Sequence, residues 1–384
     1  MRYHMPKVSW LELLQDLVIV VLAMSLFSGL QFGWGSAWVI WYLVAIVYVF
    51  GAWSAWVLAS NRFPDHGIAV QLLTMAWIVG AMIAATGTLW HEWSTEETLN
   101  GGMALAFLAL ALRYAYAGMQ APDARRAATM GASLSLVAAV ILGIGTFTAP
   151  YVAMAVGPAV GLVGILVIFP RLLPSNATVS IEHLRERLGQ FVLILLGDTF
   201  LEIAIGKERG GTFSFVGIVL ATATVFVLWR AYFLHVLPTG PPVQVRRMQG
   251  WLLLHLPLII GVGLSSVTLA ANAVPLPATV IEELEAYAED VGLLSSLGIA
   301  YLGLAGVAAA ATGWRNRSSI VLGGSGVVFL ALHFLPVDDN ITVTHAAIAA
   351  LVLMIVVEVT LSRSRTTTET TVREDAVDSG RMGA

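Results

Sequence analysis

The sequence predicts an all-α polytopic membrane protein of about twelve transmembrane helices, and three observations predict it. Of 384 residues, 58% are hydrophobic and only 11% charged, against about 25% charged in soluble domains. The apolar residues, which lift mean hydropathy to +0.83, gather in runs of about 20, the length that crosses the hydrocarbon core as a helix. Lys and Arg concentrate in alternate loops, as the positive-inside rule requires.

The apolar runs fall at 8–30, 36–59, 67–90, 99–120, 127–148 and 150–170, then at 188–206, 213–236, 249–274, 291–312, 317–335 and 341–361. The first is too long for a signal peptide, carries Glu12 and Asp16, and lacks a small-residue cleavage site. Thr148-Ala149-Pro150 marks a tight hairpin between the fifth and sixth runs. With both termini cytoplasmic, the inner segments hold Arg2, Lys7, Arg62, Arg125, Arg126, Arg171, Arg185 and Arg187, and further basic pairs at Arg246–Arg247 and Arg315/Arg317. The outer loops hold only Lys207 and Arg209, and collect acid at Glu92, Glu96, Glu97 and across 282–290. One missed or extra helix would scramble this asymmetry.

Residues 1–361 therefore read as a single transmembrane domain, and the Thr-rich polar tail 362–384 as a disordered cytoplasmic segment. A basic cytoplasmic loop, 171–187, separates halves at roughly 8–170 and 188–361; it ends in a charged helical lead-in for which Ser180 is an N-cap candidate. Asn176-Ala177-Thr178 on that side is a chance sequon, and 275–290 reads as an acidic surface helix. Six runs precede the loop and six follow, so a 6+6 parallel repeat about an axis along the membrane normal is consistent with the pattern. Its sequence trace is Leu13-Leu14-Gln15-Asp16 against Leu195-Leu196-Gly197-Asp198. Counted from each expected entry, both aspartates lie about 12–15 Å deep.

The residues that need explaining are ionisable groups inside apolar runs. Glu12/Asp16 and Asp198/Glu202 are each spaced four apart, so each pair shares one helix face. Such a group at the centre of a bilayer costs several kcal/mol even on lenient insertion scales. Arg113, Arg230 and His255 fall in the same inner half as Glu12 and Asp16, with Asp198 near the midplane and Glu202 beyond it. On facing helices these would form a polar ladder. Plainer readings compete: Glu12, Arg113 and Arg230 can snorkel, and His255 can bond a carbonyl freed by Pro257. His333, His345 and Glu358 read as interfacial, and the Trp residues, Trp53 and Trp56 among them, as interfacial belts and packing.

Several segments resemble the bacterial low temperature requirement A proteins: WLELLQDLVIVV in the first run, Asn61-Arg62-Phe63 closing the second, and HLRERLGQFVLILLGDTF from His183 to Phe200. Trp229-x-x-Tyr232-Phe233 and HLPLIIG from His255 to Gly261 belong to the same resemblance, which spans about 8–274. Where this chain has Gly197-Asp198, family members usually show Gly-Glu. The resemblance implies a multi-pass protein of the bacterial inner membrane. It implies no reaction, the family being named for a cold-growth phenotype, and it adds His183, Glu186, Arg187 and His255 to the residues of interest.

These residues suit a proton- or ion-coupled secondary transporter, with Asp16 and Asp198 as carboxylates that bind protons or substrate, Arg113 and Arg230 as counter-charges or anion clamps and His255 as a relay. The alternative is an intramembrane enzyme acting on a lipid or isoprenoid through a carboxylate/His site, with or without a metal. A third reading is a sensor or structural protein whose buried ion pairs hold the helices together. Cysteine is absent, and no H-E-x-x-H, G-x-S-x-G, P-loop or dinucleotide fingerprint occurs; the sequence specifies no cofactor. Expected partners are membrane lipids and a small-molecule or ion substrate, not nucleic acid.

Overall fold

Hydrophobic runs of this length have one stable solution in hydrocarbon, the helix that satisfies its own backbone. The computed structural model describes residues 9–29, 36–63, 67–89, 95–164, 180–208, 211–242, 245–274, 292–334 and 348–361, with no strand among them. The first half contains α1 (Trp10–Gly29), α2 (Ser36–Arg62), α3 (Ile68–Leu89), α4 (Thr95–Gln120), α5 (Arg125–Thr148) and α6 (Pro150–Val163). In the second half α7 is Ile181–Glu208, and α8 is Phe215–Arg230 extended by a π-helical turn, Ala231–Val236. Next comes α9, whose parts Val245–Leu253 and His255–Ala273 are interrupted at Leu254. It is followed by α10 (Leu293–Thr312), α11 (Arg317–His333) and α12 (Ile348–Leu361). Among the described residues nine helices are long and apolar enough to cross a membrane, and α11 and α12 are shorter apolar helices. The expected surface helix 275–290, the sequon, His345 and the tail 362–384 lie outside the described residues.

One boundary changes the reading. Because α7 starts at Ile181 and not near 188, the expected charged helical lead-in runs without a break into the apolar run, and the charges of 181–187 belong to the first turns of that helix. Ser180 caps it as expected, accepting from the His183 amide at 3.2 Å. At α1 the same geometry is a full capping box: Ser9 Oγ accepts from the Glu12 amide at 3.3 Å, and Glu12 Oε2 accepts from the Ser9 amide at 2.9 Å.

In the first half α1 packs on α3, α3 on α4 and α4 on α5; in the second half α7 packs on α9, α9 on α10 and α10 on α11. The halves meet chiefly through α1 and α7. Lipid offers no hydrophobic drive to associate, so helices in a bilayer gain by close approach at small residues. The α3–α4 crossing is set by Gly80, where an added Cβ would lie 2.5 Å from the Gly102 carbonyl oxygen. At the α9–α10 crossing, a Cβ on Gly261 would strike the backbone of Ala300. Trp53, Trp56, Trp77 and Trp251 are fully buried, so Trp53 and Trp56 are packing residues and not part of an interfacial belt. Apolar side chains such as Leu72, Val79, Leu112, Val137, Phe200 and Val219 point outward, as lipid-facing residues do.

Gly261→Ala is expected to lower thermal stability in detergent by the equivalent of about 1–3 kcal/mol, the usual penalty of overpacking. Gly324→Ala on α11, where a Cβ meets open space, should leave the melting curve unchanged or slightly raised. Equal effects of the two substitutions would refute the close-crossing account.

Candidate functional site

Glu12 and Asp16 stand one turn apart on α1, and His183 and Arg187 one turn apart on the neighbouring α7. The two helices run parallel here, and their polar residues meet in register. His183 Nε2 lies 3.3 Å from Glu12 Oε1. Arg187 is fully buried, and its Nε donates to Asp16 Oδ2 at 2.7 Å while Nη2 donates to Asp16 Oδ1. Nη1 reaches Glu12 Oε1 at 3.5 Å, and Nη2 also donates to Gln15 Oε1 at 3.2 Å. From α2, Trp53 Nε1 donates to Asp16 Oδ1 at 2.7 Å. Asp16 is thus held in a fork by a guanidinium and capped by an indole, the bidentate geometry for which arginine is suited.

The Asn61-Arg62-Phe63 turn has a mechanical role in this site. Asn61 Nδ2 donates to the Ser180 carbonyl at 2.9 Å, and the Ser180 amide donates back to Asn61 Oδ1 at 2.8 Å. This two-bond clasp fixes where α7 begins relative to α2, and so fixes the height of Arg187.

Several expectations are corrected. Asp16 pairs with Arg187, and neither Arg113 nor Arg230 reaches it. Arg113 is buried over the Trp56 ring, its Cζ 5.1 Å from the centroid, with Nη2 3.4 Å from the Phe63 carbonyl oxygen. Glu186 is exposed on α7 and takes no part. Glu12 does not snorkel, being engaged by His183, Arg187 and its own helix cap. Asp16 and Asp198 are not equivalent in depth. Asp16 lies level with Arg187, and Asp198 is eleven residues further along α7, about 16 Å deeper.

The second acid pair has a different environment. Asp198 is 1% exposed, and neither of its carboxylate oxygens has a hydrogen-bond partner among the described residues. Glu202, also buried, follows one turn later on the same face. Beside Asp198, Thr199 Oγ1 donates to Ser266 Oγ of α9 at 3.0 Å, so hydroxyl groups and a carboxylate share this depth.

A third cluster surrounds the π turn of α8. Arg230 Nε donates to Glu358 Oε1 at 2.8 Å, and His235 Nε2 lies 3.0 Å from Glu358 Oε2. Glu358 is therefore buried and ion-paired with α8. An i→i+5 turn brings Arg230 and His235 to one face, where ordinary helical spacing would separate them. Tyr232, in the same turn, lies 3.1 Å from His255 Nε2, and His255 Nδ1 lies 2.8 Å from the Trp251 carbonyl oxygen. A carbonyl only accepts, so Nδ1 carries the proton and Tyr232 donates to Nε2. His255 is thus a satisfied buried histidine, but the carbonyl it bonds is that of Trp251 and not that of Leu253, the one Pro257 leaves without an amide donor. The signal for Trp53, His235 and Glu358 was absent from spacing alone, while the Ser9–Glu12 capping box was present in the sequence as S-x-x-E.

Among the described residues no three His, Asp or Glu side chains converge as metal ligands would. The fold and the site together define a multi-pass helical membrane protein organised about buried carboxylate–arginine pairs. A family model, Bacterial low temperature requirement A protein (LtrA), matches residues 7–359, and the chain belongs to that family. The match extends well past residue 274, where the recognisable motifs stop, to cover α10, α11 and most of α12. No curated protein matches the chain.

Removing one partner of the Asp16–Arg187 pair strands a charge, so Asp16→Leu or Arg187→Met should each destabilise by about 3–5 kcal/mol. The double replacement should recover much of that loss, since two apolar groups leave nothing unpaired. Thermal melts of the three purified variants check it; a double variant no better than the singles would contradict the pairing.

Proposed function

We propose that this protein is a proton- or ion-coupled secondary transporter of the bacterial inner membrane, with about twelve spans, cytoplasmic termini and Asp198 as the working carboxylate. The observation that carries the reading is the contrast between the two acids. Asp16 is held by three donor groups and has no freedom to exchange anything. Asp198 is equally buried and has no hydrogen-bond partner among the described residues. An ionised carboxylate in that state is costly, and binding a proton or a small cation relieves the cost; a site that must load and unload needs such a group. Glu202 one turn on, and the Thr199 and Ser266 hydroxyls alongside, offer the next oxygen ligands.

The matched packing order of the two halves supports the parallel repeat that alternating access commonly uses. The register of α1 on α7 supports it too. Ser9 with Ser180, Glu12 with His183 and Asp16 with Arg187 all correspond at one constant offset, which replaces the offset implied by the Leu-Leu-x-Asp match. Loop charges favour a cytoplasmic face at the start of α1. The lack of a converging ligand trio among the described residues favours transport over a metal-assisted lipid enzyme.

The test is reconstitution into vesicles carrying an internal pH dye, with an imposed pH gradient and a mixture of small metabolites as the substrate pool. Wild type should dissipate the gradient faster when the pool is added, and Asp198→Asn should abolish that increment while keeping the wild-type melting temperature. An unchanged increment in Asp198→Asn, or none in wild type, would overturn the reading.

A further inference from the structure

A cavity of about 460 Å³ opens between the ends of α2 and α4 and the start of α3, on the side of α2 turned away from the Asp16 network. Its polar lining is Arg62, Arg113, Tyr116 and Gln120, with Phe63 and Val70 among its apolar walls. None of the described lining residues is acidic. Arg113 is 4% exposed and is braced against Trp56, so its charge is positioned rather than wandering. Arg62 is half-buried, and its Nε and Nη1 are buried without a hydrogen-bond partner among the described residues. Buried guanidinium donors without acceptors are strongly unfavourable. A ligand that brings acceptors removes the penalty.

We propose that this pocket binds a phosphate-type oxyanion, held in the fork of Arg62 with Arg113 as a second cation and Tyr116 and Gln120 as neutral donors. Guanidinium groups match tetrahedral oxyanions through paired N–H donors, which favours phosphate over halide. The cavity lies within the range of small-molecule sites, about 300–1,000 Å³, so it has room for more than a bare phosphate. Ile68, Leu72, Leu112 and Met119, on the same ends of α3 and α4, are exposed apolar residues that acyl chains can cover. The same chemistry therefore suits an anionic phospholipid headgroup or a soluble phosphate monoester; basic pockets between helices at a membrane face commonly hold headgroups. The site is separate from Asp198 and does not depend on the transport reading.

The full chain in detergent is titrated with glycerol 1-phosphate and monitored by thermal shift, and nanodiscs containing phosphatidylglycerol are compared by native mass spectrometry with phosphatidylcholine nanodiscs. A shift with glycerol 1-phosphate alone assigns a soluble phosphate ester. Selective retention of phosphatidylglycerol alone assigns a headgroup, and both together assign phosphate recognition from either source. In each case Arg62→Gln should weaken binding about tenfold or more, because charge-assisted hydrogen bonds are lost. Arg247→Gln, an exposed basic residue on α9, should not. Arg62→Lys keeps the charge without the fork and supplies a second reading of the same loss if Arg62→Gln melts early. Binding of neither probe, or binding that survives both Arg62 substitutions, would overturn the proposal.

Discussion

The Asp16–Arg187 pair is the contact on which the arrangement of the two halves depends. Each charge alone on an apolar helix is penalised by several kcal/mol, and each is fully buried. The penalty is offset only when α1 and α7 lie side by side at one height, with the fork of Arg187 on the carboxylate of Asp16. Sliding α7 by a single residue would move the guanidinium by about 1.5 Å and turn it by about 100°, breaking both bonds. The pair thus sets register as well as proximity, a use of buried polar groups for which helix assemblies offer precedent. Apolar packing in lipid lacks that selectivity, because neighbouring chains are as apolar as the helix faces.

The surrounding bonds make sense as supports for this contact. Trp53 adds a third donor to Asp16 and brings α2 against the pair. The Asn61–Ser180 clasp ties the end of α2 to the cap of α7, seven residues before Arg187. Glu12 and His183 extend the contact by one turn toward the starts of both helices. Four elements of sequence that look unrelated, WLELLQD, Trp53, Asn61-Arg62-Phe63 and HLRER, therefore describe one three-helix junction.

How much of this was legible follows from what spacing encodes. Composition and charge asymmetry located the apolar helices within a few residues except at the start of α7, seven residues earlier than expected, and the four-residue spacing placed Glu12 with Asp16 on one face. The partner was not legible. Arg187 is 171 residues from Asp16, and the rule that assigns basic residues to inner loops counted it as a loop residue. Arg113 and Arg230 had suitable depth but the wrong facing, which depends on helix packing and not on distance along one chain. Glu358 was lost for a related reason: its pairing needs Arg230 and His235 on one face, and only the π turn supplies that. The Leu-Leu-x-Asp match misled because it equated local patterns without fixing where α7 starts.

Once Arg187 is assigned to Asp16, the two aspartates stand in opposite environments. A carboxylate locked by a guanidinium, an indole and a helix register is part of the frame, and any step that released it would also release α1 from α7. A carboxylate eleven residues deeper on the same helix can change its occupancy without disturbing that frame, since among the described residues nothing is hydrogen-bonded to it. The hydroxyls of Thr199 and Ser266 link α7 to α9 beside it, and α9 is the helix interrupted at Leu254. Under the proposed transport function, charge neutralisation at Asp198 would alter the fit of α7 against α9 while the α1–α7 junction stays fixed. A fixed junction near the start of α7 and a variable group eleven residues further along it are the two parts that the proposed transport function would need of a rocking helix pair.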